Sequence, residues 1–227
     1  MQTVTDATFL DQPFTAVFGS SDTQAFILNC GAECGGTAAS VASVTFSGAP
    51  TFAPATGPIT VSGATAGLLS GTNLYVAGTP SPAPTGPSAA CPLSRCGALT
   101  IVNTSSLTAG TAIPITDGVH QKMALTNGRV YIGASACSVD PGTAPNTVRG
   151  CLSIFNTNTP GTKFPQESSF RQNFDVTGFQ PISGRSIIYV IQGGELDFFD
   201  NTTDAVATGI TPLDIVGLGI DVVQIDP

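Results

Sequence analysis

One histidine, six cysteines and a late group of carboxylates are the residues of this 227-residue chain with chemistry beyond packing. His120 alone has an ordinary pKa close to neutrality, so it is the candidate general base or nitrogen ligand. Its neighbour in the chain is Gln121, and a channel residue that only forms hydrogen bonds is the competing reading. Glu195, Asp197, Asp200 and Asp204 offer the hard oxygen ligands that Ca²⁺ takes. Glu195 and Asp197, however, alternate with Leu196 and Phe198, which is the pattern of a strand with one solvated face. The solvated face is the expectation, and Ca²⁺ is the one cofactor left open.

The cysteines fall at 30 and 34, 91 and 96, and 137 and 151, so each has a partner within its own short stretch. Three disulfides are expected: Cys30 with Cys34, Cys91 with Cys96, and Cys137 with Cys151. Zinc is the rival, but the Cys-x3-Cys and Cys-x4-Cys pairs stand more than fifty residues apart and His120 lies near neither. Disulfides imply an oxidising compartment: extracellular, periplasmic or at the cell surface. No serine sits in a Gly-x-Ser-x-Gly elbow, and no Gly-rich loop precedes a helical pattern, so nucleophilic and phosphate chemistry have no local signature. Asn103-Thr104-Ser105 and Asn201-Thr202-Thr203 fit a glycosylation sequon, a weak pattern in so Thr-rich a chain. Asp140-Pro141-Gly142 reads as a turn.

The elements that position these residues must be strands. Glycine and proline together number 43, only 10% of residues are charged, and Gly or Pro interrupts nearly every window in which a helical period could begin. The fold class is therefore all-β. A net charge of −8 with seven dispersed Lys and Arg gives no basic footprint, which argues against nucleic acid and anionic membrane partners. No apolar run approaches the roughly 18 residues of a membrane span, so none is expected.

An internal repeat organises the strands. Its first marker is an aromatic followed by a β-branched residue: Phe26-Ile27, Tyr75-Val76, Tyr131-Ile132 and Tyr189-Val190, at spacings of 49, 56 and 58. A second, alternating strand follows in residues 98–104, 151–157 and 195–201, with a degraded version in 41–46. A strand precedes each aromatic, in residues 14–18, 66–69, 122–125 and 182–183, often across a turn such as Ser70-Gly71 or Asn127-Gly128. A weaker fourth strand is expected in 58–62, 111–116 and 170–176. Four antiparallel strands make one propeller blade. The boundaries are about 12–62, 63–117, 118–177 and 178–216, with 3–9 and 219–225 as strands of adjoining blades.

All three cysteine pairs lie in or beside the connection from the aromatic strand to the next, whereas the fourth unit closes that connection with Gly193-Gly194. Aligning the first strands places Gln12, Thr65, His120, Gln180 and Asp221 around one mouth of a central channel, on the face that carries the stapled connections.

Leu74-Tyr75-Val76-Ala77-Gly78 followed by Ala98-Leu99-Thr100-Ile101-Val102-Asn103-Thr104-Ser105 resembles the repeat of YVTN-type, lactonase-like β-propellers, as do the third and fourth units. The resemblance implies blades and brings no catalytic residue with it. Those propellers close with about seven blades, so four are expected to be an arc of a seven- or eight-bladed ring, completed by further blades or by a second copy. Two functions follow. One is a secreted or surface binding and scaffolding module that recognises a protein or glycan with its stapled loops. The other is a propeller-type hydrolase or lyase with a polar channel around His120.

Overall fold

The computed structural model describes residues 5–21, 23–171, 173–215 and 219–222. Every regular element among them is a strand except one 3₁₀ turn, Gly31–Cys34. The chain clusters into two compact units. The first comprises Met1–Pro84 and Gly97–Pro114, the second Thr85–Cys96 and Ile115–Pro227.

In the first unit, sheet 1 is ordered β1 (Pro13–Phe18), β2 (Gln24–Asn29), β3 (Ser40–Thr45), β4 (Thr51–Ala53), with β5 (Ile59–Thr60) also on β3. Sheet 2 brings together β6 (Ala66–Ser70), β7 (Asn73–Gly78) and β8 (Cys96–Asn103), with β9 (Thr108–Ala109) on β8; β10 (Ile113–Thr116) follows. The aromatic-plus-β-branched segments are the second strands, and they are buried because both neighbours pair with them. Phe26, Leu28 and Val41 from sheet 1 meet Leu74, Val76 and Val102 from sheet 2 in one apolar cluster. Burial of each such side chain stabilises by about 1.5–3 kcal/mol.

The second unit repeats the plan. Sheet 3 is ordered β11 (Val119–Thr126), β12 (Arg129–Ser135), β15 (Leu152–Asn156), β16 (Gly161–Lys163). Between β12 and β15 lie β13 (Asp140–Pro141) and β14 (Thr147–Arg149), which form a separate three-stranded sheet with β17 (Gln166–Ser168). Sheet 4 is ordered β18 (Val176–Pro181), β19 (Ile187–Gln192), β20 (Glu195–Asp200), β21 (Ala205–Val206), with β22 (Leu213–Asp214) on β20. Tyr131, Leu152 and Ile154 pack with Val176, Ile188, Val190 and Phe199. All named pairings within these sheets are antiparallel.

The tight hairpins have the expected chemistry. Asn127 and Gly128 (φ 47° and 70°) and Gly193 and Gly194 (φ 59° and 85°) each supply the two left-handed residues that a twisted two-residue turn demands.

Several strand assignments shift. Residues 170–176 are not the fourth strand of sheet 3; β16 is, and Phe170 lies in a turn. The first strand of sheet 4 is β18 rather than 182–183, because Arg185 N–H bonds the Ile182 carbonyl and closes a hairpin turn there. The third and fourth repeats therefore divide near residue 175, not at 177. The fourth strand of sheet 1 is split into β4 and β5. Of the expected strand 3–9, the described part is a turn, with the Phe9 and Leu10 amides both on the Asp6 carbonyl. Residues 219–222 carry no assigned strand yet run beside β18, where Thr177 Oγ1 donates to the Gly219 carbonyl at 2.6 Å; the rest of that predicted strand lies outside the described residues. Among the described residues no helix is long and apolar enough to cross a membrane.

Candidate functional site

The second-to-third-strand connections are built structures. In the first unit, the 3₁₀ turn Gly31–Cys34 ends at Gly35, whose left-handed φ of 85° lets the chain reverse. The Cys30–Cys34 disulfide closes this turn. Asp11, ahead of β1, accepts the Thr37 amide at 2.6 Å and the Ala38 amide at 3.2 Å. These contacts, with the Thr37 hydroxyl first among them, hold its carboxyl below the usual range. Glu33 Oε2 accepts the Thr79 amide at 3.0 Å, so the first connection holds the start of the second. Burial pushes the Glu33 carboxyl up.

In the second unit three segments distant in sequence assemble. The loop closed by Cys91–Cys96 buries both sulfurs with Leu93 against Phe164. Its Ser94 donates from the amide and the hydroxyl to Asp140, at 2.9 and 3.2 Å. Asp140 is 9% exposed and starts β13; its Asp-Pro-Gly signature is a strand that clamps the neighbouring loop, not merely a turn. The Cys137–Cys151 disulfide closes the base of the β13–β14 hairpin. Asp117 accepts the Ser138 amide and hydroxyl at 2.7 and 2.8 Å, and Asp175 accepts the Ala136 amide at 2.7 Å. At the tip, Gln166 Oε1 accepts the Thr143 and Ala144 amides at 2.7 and 3.0 Å. The result is a stapled, hydrogen-bonded surface with exposed residues at its tip.

The predicted channel-mouth residues do not share a register. The first strands of sheets 1, 3 and 4 each carry a bulge, and pairing makes Pro13, His120 and Val176 equivalent: they oppose Asn29, Ala134 and Gln192. Of Gln12, His120 and Gln180, His120 alone occupies that position. Gln12 is one residue early, with a left-handed φ of 56°; Gln180 is four residues late, and its Nε2 donates to the Pro181 carbonyl. Thr65 is buried against the Ala77 carbonyl. Asp221 accepts Lys122 Nζ at 2.8 Å, which holds its carboxyl below the ordinary value. One misjudged strand start, at β18, accounts for the displacement of Gln180.

His120 is fully buried. Its Nε2 donates to the Thr116 carbonyl at 2.9 Å, which leaves Nδ1 unprotonated and without a hydrogen-bond partner among the described residues. Burial lowers its pKa to about 4; the Thr116 carbonyl and then Asp117 pull weakly the other way. In this arrangement the imidazole is held neutral and closed off from solvent.

Three of the four carboxylates pair with cations, and Asp200 does not. Asp204 pairs with Arg129 at 2.6 Å and with Lys163 at 3.2 Å. Asp200 Oδ1 accepts the Thr202 hydroxyl and amide, the hydroxyl being the larger cause of its lowered pKa. Asp197 is 0% exposed and takes both ends of the Arg171 guanidinium at 2.8 Å. Glu195 meets the same guanidinium at 3.2 Å. The strand face read as solvated is thus ion-paired at Glu195 and Asp197. The pairing of Arg171 with Asp197 had no local signal, since the two lie 26 residues apart.

No protein-family model matches the chain, and no curated protein does. Solved structures do. Hydrazine synthase from Kuenenia stuttgartiensis matches with a TM-score of 0.57 at 14% identity, over 95% of this chain and 52% of that one. The computationally designed Ika8 protein matches with a TM-score of 0.40 at 10% identity, over 86% and 60%. The chain spans about half the length of the hydrazine synthase chain, and what it shares with it is fold.

Proposed function

We propose that the chain is a run of YVTN-like propeller blades from an exported protein, acting as a binding and scaffolding module through its disulfide-stapled connections. The observation that carries this reading is the clamped loop pair of the second unit. Two disulfides, the Asp140–Ser94 contacts and the Asp117–Ser138 contacts hold an elaborate surface in one shape. Pre-ordering a surface removes entropy that binding would otherwise cost. The three disulfides support an extracellular, periplasmic or cell-surface location. A protein or glycan is the ligand class such a surface suits.

Sheet 1 supports a ring that further blades complete. Its face opposite β6 bears Phe18, 68% exposed, beside an apolar groove of about 190 Å³ lined by Leu10, Pro13, Ile27, Val44, Phe46 and Phe52. The occupant proposed is another apolar sheet of the same kind, and native mass spectrometry tells a second copy from blades of a longer chain.

The hydrolase reading needs His120 to touch substrate. The test pairs glycan and protein binding arrays with a lactone turnover panel, for the wild type and His120→Asn. Ligand binding unchanged by the substitution, with no lactone turnover, is the expected outcome. Lactone turnover that His120→Asn abolishes would overturn the proposal.

A further inference from the structure

Between β16 and β18, residues 164–171 and 173–175 form a strap that carries β17, paired with β14, the exposed ring of Phe170 (82%) and Arg171, and that meets sheet 4 at the β19–β20 turn. Gly193 lets it approach: a side chain there would collide with the Asn173 carbonyl, and the Gly193 amide donates to the Asp175 carbonyl at 3.1 Å. Beneath the strap, Arg171 meets three carboxylates: Glu167 at 3.2 Å, Glu195 at 3.2 Å and Asp197 at 2.8 Å. Three negative charges against one positive charge, in a site largely closed to water, favour the uptake of a proton. The geometry shows where it goes. Both Asp197 oxygens are taken by the guanidinium, and the Glu195 side chain is 35% exposed. Glu167 has a side chain 2% exposed, and its Oε1 has no hydrogen-bond partner among the described residues.

We propose that Glu167, Arg171, Glu195 and Asp197 form a proton-operated latch: with Glu167 protonated the strap is fastened to sheet 4, and ionisation of Glu167 loosens it. The latch stands independently of the binding-module reading. The charged groups facing Glu167 are Arg171 from the strap and Asp197 and Glu195 from β20; Gln192 from β19 is neutral. Burial is the largest influence on the Glu167 carboxyl, Arg171 opposes it, Asp197 and Glu195 add to it, and the sum is a pKa of about 7.

With the strap open, Glu167 returns to its ordinary value of 4.5. Between these values the fastened state holds one proton more than the open state, so fastening is strongest below about pH 4.5 and weakens as pH rises towards 7. A single proton gives roughly a 70-fold change in the opening equilibrium from pH 5 to pH 8. Hydrogen exchange of the Gly193 amide, which donates to the Asp175 carbonyl, reads this equilibrium once corrected for intrinsic exchange at each pH. The wild type should lose roughly 70-fold in protection across that range, and Glu167→Gln should stay protected throughout. Parallel profiles in the two proteins would overturn the latch. So would a carboxyl ¹³C titration of Glu167 in the wild type with its midpoint near the ordinary value.

Discussion

Replacing Arg171 with methionine should destabilise the second unit by about 3–5 kcal/mol at pH 8, the range for removing one partner from a buried ion pair. Methionine keeps much of the arginine volume, so the loss reports charge rather than a cavity. Five contacts vanish: two to Asp197, one to Glu167, one to Glu195 and one to the Gln192 carbonyl. Asp197, 0% exposed, is then left as an unpaired carboxylate. The penalty should shrink towards pH 5, because the stranded carboxylates can neutralise themselves by taking protons. Arg171→Lys should recover part of the loss, since an ammonium supplies charge without the two-pronged fit to Asp197. Urea unfolding at the two pH values checks this; a loss below about 1 kcal/mol would show that the strap is not anchored by Arg171.

The second large effect belongs to the Cys137–Cys151 disulfide, which spans 14 residues and closes the longest of the three bridged loops. Loop-closure entropy assigns such a bridge about 3 kcal/mol, against about 2 kcal/mol for the shorter loops at Cys30–Cys34 and Cys91–Cys96. Cys137→Ala with Cys151→Ala should lower the melting temperature by about 6–12 °C. The all-β circular dichroism should survive, because Asp117, Asp140 and Asp175 still tie the loop by hydrogen bonds. A change under about 2 °C would mean that these bonds hold the loop without the bridge.

What could be read from the residues, and what could not, divides by distance along the chain. The second strands were legible because Phe26, Tyr75, Tyr131 and Tyr189 each open a short apolar, β-branched run bounded by turns. The hairpins at Asn127-Gly128 and Gly193-Gly194 were legible because left-handed turn residues have few substitutes. The cysteine pairs were legible because each closes within one connection. The small sheet of β13, β14 and β17 was not, since its strands are two or three residues long and pair across intervening elements. The same distance hid the Arg171 cluster, and alternation alone made Glu195 and Asp197 look solvated. At His120 the residue type showed the chemistry it could do, while burial, which decides whether it can, came from strands packed around it. Asp117, three residues earlier, was the overlooked local signal: it fastens the bridged loop at Ser138.

On the proposed reading, the stapled connections are recognition surfaces added to a sheet scaffold that does not need them. Sheet 4 shows the bare form, with Gln192 opposite Glu195 across two glycines. Sheet 3 can be cut to match: residues 135–150 replaced by Gly-Gly, with Cys151→Ala, so that Ala134 faces position 151 as Gln192 faces Glu195. Circular dichroism and the binding arrays, run on this variant beside the wild type, test the claim most directly. A retained all-β spectrum with ligand binding abolished is the predicted result; loss of the fold, or binding that survives without the loop, would contradict it.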